Sequence, residues 1–147
     1  MWSPQRREVV ALLALLDLAS EAEPRGWVKT SAIAARHGIP SAFLEQIVYR
    51  LVQLGYVRSR RGPSGGLQLA RAPAQIRVGA VLRTIGEHTA REVGAARTLE
   101  EMVIGACEDA NGALEHALDA LTLENLRERA VRGGLVRGGK SALSFDI

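Results

Sequence analysis

The side chains with chemistry to offer in this chain are cations gathered in one stretch. Residues 28–71 hold Lys29, Arg36, Arg50, Arg58, Arg60, Arg61 and Arg71 against the single acid Glu45. Such a set does not make or break bonds. It suits a polyanion, because each cation that meets a nucleic-acid phosphate releases condensed counterions. Among these cations stand Ser41, Glu45 and Gln46, whose side chains hydrogen-bond to base edges. Gln pairs with adenine, and Glu accepts from the cytosine amino group. No Ser/His/Asp triad, paired-carboxylate or metal-ligand constellation is visible elsewhere, so an enzyme has no support and no metal site is expected. Residues 134–141, GLVRGGKS, match the phosphate-loop pattern letter for letter. That mechanism needs a strand before the loop and a helix after it, and neither is present in the pattern.

The only cysteine, Cys107, cannot form an internal disulfide and fits a reducing cytoplasm. It falls in an apolar helical stripe, where a small buried hydrophobe is expected. The alternatives are a redox or ligand-sensing thiol, or a metal or unusual cluster site shared with His37, His88, His116 or Glu8. Of these, His37 is the best partner.

The elements that must position the cations follow from periodicity. The apolar fraction of 47% with only six aromatics favours a soluble, helical chain resting on Leu, Val, Ile and Ala. A first amphipathic helix is expected over 5–19, and Asp17 makes its apolar run too short to span a bilayer. A second helix follows, capped by Thr30 or Ser31, to about Arg36, with Gly38 at its end. Pro40 suits the first turn of a third helix to about Leu54. In it Leu44, Ile47, Val48, Leu51 and Leu54 face the core, leaving Ser41, Phe43, Glu45, Gln46 and Arg50 for a partner. Three residues between these two helices are the short connection of a helix-turn-helix. The period then changes to two over 56–60 and 67–71, around the turn sequence RGPSGG at 61–66, which predicts a hairpin.

Residues 78–85 read as a small helix and 87–97 as a loop. TLEE at 98–101 is a capping box opening a long helix. Its apolar positions are Leu99, Met102, Val103, Ala106, Cys107, Ala110, Ala113, Leu114, Ala117, Leu118 and Leu121. The first helix can cover part of this stripe, and a second copy of the chain is the natural partner for the remainder. The tail from 133 is Gly-rich and expected to be mobile. The net charge of +3 conceals an asymmetry: residues 25–77 carry nine bases and one acid, residues 85–130 four bases and ten acids. Only the first half is built to meet a polyanion.

The segments ALLALLDLA, TSAIAARHGIP, AFLEQIVYRLVQLGYVRSRRGPSGGLQLAR and IRVGAVLRTIGE, together with TLENL at 122–126, resemble the bacterial winged helix-turn-helix regulator family that includes IscR, NsrR and CymR. The combination of LEQ at 44–46, Val57 and RGPxGG at 61–66 is the specific part. The resemblance implies a dimer that binds a palindromic DNA operator, with Glu45 as the base-reading acid and Arg61 as the wing arginine for the minor groove. Phe43 stands where the family has a tyrosine, Pro40 and Ala42 replace common serines, and Leu67 replaces the tyrosine after the glycines. These departures bear on the operator sequence. Many members hold an iron–sulfur cluster through three cysteines before the long helix; residues 86–98 have none, so no such cofactor is expected here.

The expected fold class is mainly α: a winged helix-turn-helix domain (1–86) with a two-stranded wing, a loop (87–97), a dimerisation helix with a short terminal helix (98–131) and a tail (132–147). The expected DNA-binding set is Thr30, Ser31, Ser41, Phe43, Glu45, Gln46, Arg50, Arg58, Arg60, Arg61, Gly65 and Gly66, the two glycines by letting backbone approach DNA closely. The expected function is a cytoplasmic, homodimeric transcriptional repressor that binds double-stranded DNA and no membrane. The rival is a winged helix used as a protein-binding platform.

Overall fold

A computed structural model describes residues 2–20, 26–86 and 98–136. The loop expected over 87–97, His88, and the phosphate-loop look-alike from 137 onward lie outside the described residues.

Helix α1 (Arg6–Ser20) starts where the Glu8 carboxylate accepts the Gln5 N–H, and it buries Val10, Ala11, Ala14 and Leu15. Helices α2 (Thr30–His37) and α3 (Ser41–Gln53) are joined by the three expected residues. Gly38 makes the turn possible: its φ of 62° is left-handed, and Ile39 N–H reaches back to the Ala34 carbonyl at 3.0 Å. The start of α2 corrects the expected cap. Lys29 occupies the capping position, neither Thr30 nor Ser31 supplies a side-chain bond there, and Thr30 is already helical. In α3 the buried residues are Leu44, Ile47, Val48 and Leu51, with Leu54 ending the helix half-buried.

Strands β1 (Val57–Arg60) and β2 (Gly66–Leu69) pair antiparallel, with Val57 opposite Leu69 and Arg60 opposite Gly66. They are shorter than the alternating pattern suggests. A 3₁₀ turn at Pro73–Gln75 leads into α4 (Val78–Ile85), whose bounds are those expected. Val10, Leu15, Ile33, Leu44, Ile47, Leu51, Val57, Leu67, Ile76, Val81, Ile85 and Leu123 form one continuous core.

Helix α5 (Leu99–Ala120) opens with the Thr98–Glu101 capping box, both bonds at 3.1 Å. None of its residues is buried. Its C-terminal part rests on α4, while α1 packs on α3, α4 and α6 (Leu123–Arg132), so α1 is not the cover the sequence led us to expect. A second capping box, Thr122 with Asn125, opens α6. TLENL therefore both ends the long helix and begins another, and Leu123 carries that second helix into the core at 0% exposure.

Candidate nucleic-acid interface

On α3, Ser41, Glu45, Gln46 and Arg50 are all exposed, on the side away from the buried leucines and Ile47. Tyr49, which the sequence reading passed over, is 66% exposed on the same side, and its hydroxyl accepts from Gln53 Nε2 at 3.0 Å. The signal was available, since an apolar ring between Val48 and Arg50 breaks the core stripe. Phe43 is half-buried and packs on the core, so its ring serves α3 packing first. Thr30 is half-buried and Ser31 exposed at the start of α2.

The wing sorts its cations. Arg58 is exposed and donates to Gln68 Oε1 at 2.9 Å across the strand pair. Arg60 lies over the Trp27 ring, 4.5 Å from its centroid, and donates to the Ser64 carbonyl at 2.6 Å. Arg71 lies 5.0 Å over Tyr56 and reaches the Leu54 carbonyl. Arg61 is exposed and makes no hydrogen bond or ion pair among the described residues. It is the wing cation left to a partner.

The two wing glycines have a different task from the one expected of them. Gly65 is buried, and a Cβ there would lie 2.0 Å from the Arg60 carbonyl oxygen. At Gly66, with φ of 152°, a Cβ would lie 2.6 Å from the Val28 carbonyl oxygen. The close approach they permit is within the protein, of the wing to itself and to the strap that precedes α2.

Cys107 is exposed on α5, which corrects the expectation of a buried hydrophobe in the single chain. Of its suggested partners, His37 is the last residue of α2, and its Nε2 lies 2.8 Å from Asp17 Oδ2. Asp17 is itself buried and also lies 3.0 Å from Arg36, close enough for an ion pair but not aligned as a hydrogen bond. Among the described residues, no three His, Cys, Asp or Glu side chains converge where a metal ion could sit. A cluster held by three thiolates does not fit a chain with one cysteine.

The α5 stripe divides in two. Leu99, Met102, Val103, Ala106, Ala110, Ala113 and Ala117 are exposed, with Leu99 at 81%. Leu114, Leu118 and Leu121 are half-buried toward the end that meets α4.

A helix-turn-helix followed by a two-stranded basic wing, with a long helix standing clear of the core, defines the winged helix-turn-helix class. Residues 5–129 match the Rrf2 family, iron-dependent transcriptional regulators, and the chain belongs to that family. It is 38% identical over 108 residues to the HTH-type transcriptional regulator IscR of Cronobacter sakazakii, covering 74% of this chain and 62% of that one. It is 39% identical over 103 residues to NsrR of Geobacillus kaustophilus, covering 65% and 70%. The match to IscR thus spans less than two thirds of that protein. Among solved structures, CymR, the global cysteine regulator of B. subtilis, superposes with a TM-score of 0.74 at 26% identity over 88% of this chain and 98% of that one. IscR of T. potens gives 0.75 at 27% over 93% and 94%. These relatives are transcriptional regulators, not enzymes. No helix among the described residues is long and apolar enough to cross a membrane.

Proposed function

We propose that the chain is a sequence-specific DNA-binding repressor that acts in the cytoplasm as a homodimer on a palindromic operator. The observation that carries this reading is the exposed face of α3, with Ser41, Glu45, Gln46 and Arg50, beside a wing whose Arg61 is uncommitted. An α-helix fits the major groove, where Glu45 and Gln46 meet base edges, and arginine suits a narrow minor groove. The dimer is supported by the exposed N-terminal half of α5. Leu99, Met102, Val103 and Ile104 are 40% to 81% exposed, and each such side chain gains about 1.5–3 kcal/mol when fully buried. A two-fold dimer presents two α3 helices and so favours a palindrome. Repression needs only occupancy of the site.

Control of this reader does not run through a three-cysteine cluster, because the donor set is missing. Arg61→Ala is expected to weaken binding to a duplex enriched by the wild-type chain by about 1–3 kcal/mol, and Glu45→Ala to relax one base position. Unchanged affinity and preference in both would refute the assignment. A steep fall of affinity with salt separates DNA reading from a protein-binding platform.

A further inference from the structure

The wing does not stand alone as a hairpin. Residues 27–29, ahead of α2, run along β2: Val28 and Leu67 form an antiparallel bridge, with N–H···O distances of 2.9 and 2.7 Å. On either side of that bridge, one residue of the strap reaches the wing tip. Lys29 Nζ donates to the Gly62 carbonyl at 3.0 Å. The Trp27 ring lies under the Arg60 guanidinium, which in turn holds the Ser64 carbonyl. Two carbonyls of the turn that carries Arg61 are therefore each held by a cation, and one of those cations is itself seated on an indole face.

We propose that Trp27 is a positioning residue of the DNA-reading wing: by seating Arg60 on the Ser64 carbonyl it fixes the turn from which Arg61 reaches DNA. The inference rests on the DNA-binding reading above. A two-stranded hairpin is marginally stable by itself, and a mobile tip would have to be ordered on binding, at a cost in affinity. A tryptophan face is the strongest cation–π partner among the aromatic side chains, and its rigid ring limits where the guanidinium can go. Trp27 bears no charge and needs no contact with DNA for this role.

The test uses the full chain and a duplex enriched by the wild type from a random-sequence pool. Trp27→Leu keeps apolar cover for the wing but removes the π face. We expect it to bind about tenfold more weakly, and its slope of log K against log salt to be shallower by about 0.9, the value of one cation withdrawn from the DNA charge, as in Arg61→Ala. Trp27→Phe should restore the slope and bring affinity to within about twofold. General destabilisation lowers the active fraction without altering the slope, so the slope isolates placement of Arg61. A wild-type slope in Trp27→Leu, or a Trp27→Phe as defective as Trp27→Leu, overturns the proposal while leaving DNA binding intact. If the wild type enriches no duplex, the DNA reading falls and this proposal with it.

Discussion

Replacing Gly66 by alanine tests whether the wing glycines serve the protein's own packing. The added Cβ would sit 2.6 Å from the Val28 carbonyl oxygen and 2.8 Å from its carbon. Carbon–oxygen contacts ordinarily begin near ~3.3 Å, so strap and wing must part by about 0.7 Å. The Val28–Leu67 pair, now at 2.9 and 2.7 Å, does not survive that shift with good geometry. Two backbone hydrogen bonds at about 1 kcal/mol each, plus about 1 kcal/mol for a side chain at φ of 152°, come to about 3 kcal/mol. Leu67 and Val57 belong to the main core, so the wing unfolds with the domain and the loss registers in global melting. For a chain of this size it corresponds to a fall in Tm of about 6–12 °C.

The neighbouring glycines provide the scale. Gly62 has φ of 100° and nothing within 4 Å of its Cβ position, so alanine there carries backbone strain alone, about 1 kcal/mol. Gly65 is the reverse case: its φ is ordinary, but its Cβ would meet the Arg60 carbonyl oxygen at 2.0 Å, which opens the hairpin at its tip. The expected order of damage in thermal or urea unfolding is Gly65→Ala, then Gly66→Ala, then Gly62→Ala. A Gly66→Ala melt within about 2 °C of wild type, or a Gly62→Ala as costly as Gly66→Ala, would refute the packing argument.

Three further outcomes follow from other parts of the fold. Val103→Glu places a charge in the exposed stripe of α5 and should turn a dimer into a monomer of unchanged helix content by light scattering and circular dichroism; a wild-type monomer would sink the pairing assigned to α5. Asp17→Ala removes a carboxylate that is 4% exposed from Arg36 and His37, which are 46% and 29% exposed; because both partners keep access to water, the expected loss is about 2 kcal/mol rather than the larger cost of a fully buried pair, read from urea unfolding. The Arg127 hydrogen bond holds the Glu124 carboxyl below its ordinary 4.5. Its folded value is depressed, so its contribution to stability is complete above 4.5 and is lost as pH falls through the lowered value; Glu124→Gln should flatten that part of the Tm–pH curve, and an unaltered acid limb would count against it.

Helix α3 was legible because each of its signals agreed with the next. Gly38 supplied the left-handed turn, Pro40 the start, although it caps α3 and does not lie in its first turn, and Leu44, Ile47, Val48 and Leu51 a stripe with one possible inward face. The wing was legible as a hairpin but not as a braced one. Trp27 and Arg60 are thirty-three residues apart and meet only because the strap pairs with Leu67, a long-range pairing that no local period announces. Arg58 and Arg60 look alike in sequence to Arg61, and their separation into paired and unpaired cations, all three exposed, depends on where Gln68, Ser64 and Trp27 come to lie. The break at Leu121 was expected from the resemblance of TLENL and not from local pattern. The apolar stripe runs up to it without interruption, and its capping box uses Asn125 where Glu or Gln is the recognisable signal. Cys107 went astray because an apolar stripe does not say whether its cover comes from the same chain.

The joint at that break decides whether the geometry of α5 is felt at α3. Val78 N–H donates to the Leu121 carbonyl at 2.8 Å, and Leu123 N–H to the Ile76 carbonyl at 2.9 Å, so the chain between α5 and α6 is stitched to the segment entering α4. Asp119 reinforces it from the last turn of α5: its carbonyl accepts from Arg77 at 2.8 Å and its carboxylate from Arg83 at 2.9 Å. That hydrogen bond holds the Arg83 guanidinium above its already high value, and Gly79 lets the two helices close, since a Cβ there would lie 2.2 Å from Asp119 Oδ1. Leu123 then enters the same core as Leu44 and Leu51 of α3. The base of α5 is thereby held by backbone bonds, a charged pair and a shared core. The exposed half of α5 and the exposed face of α3 are thus joined through one set of contacts, and in the dimer proposed above pairing through α5 would set the separation of the two α3 helices.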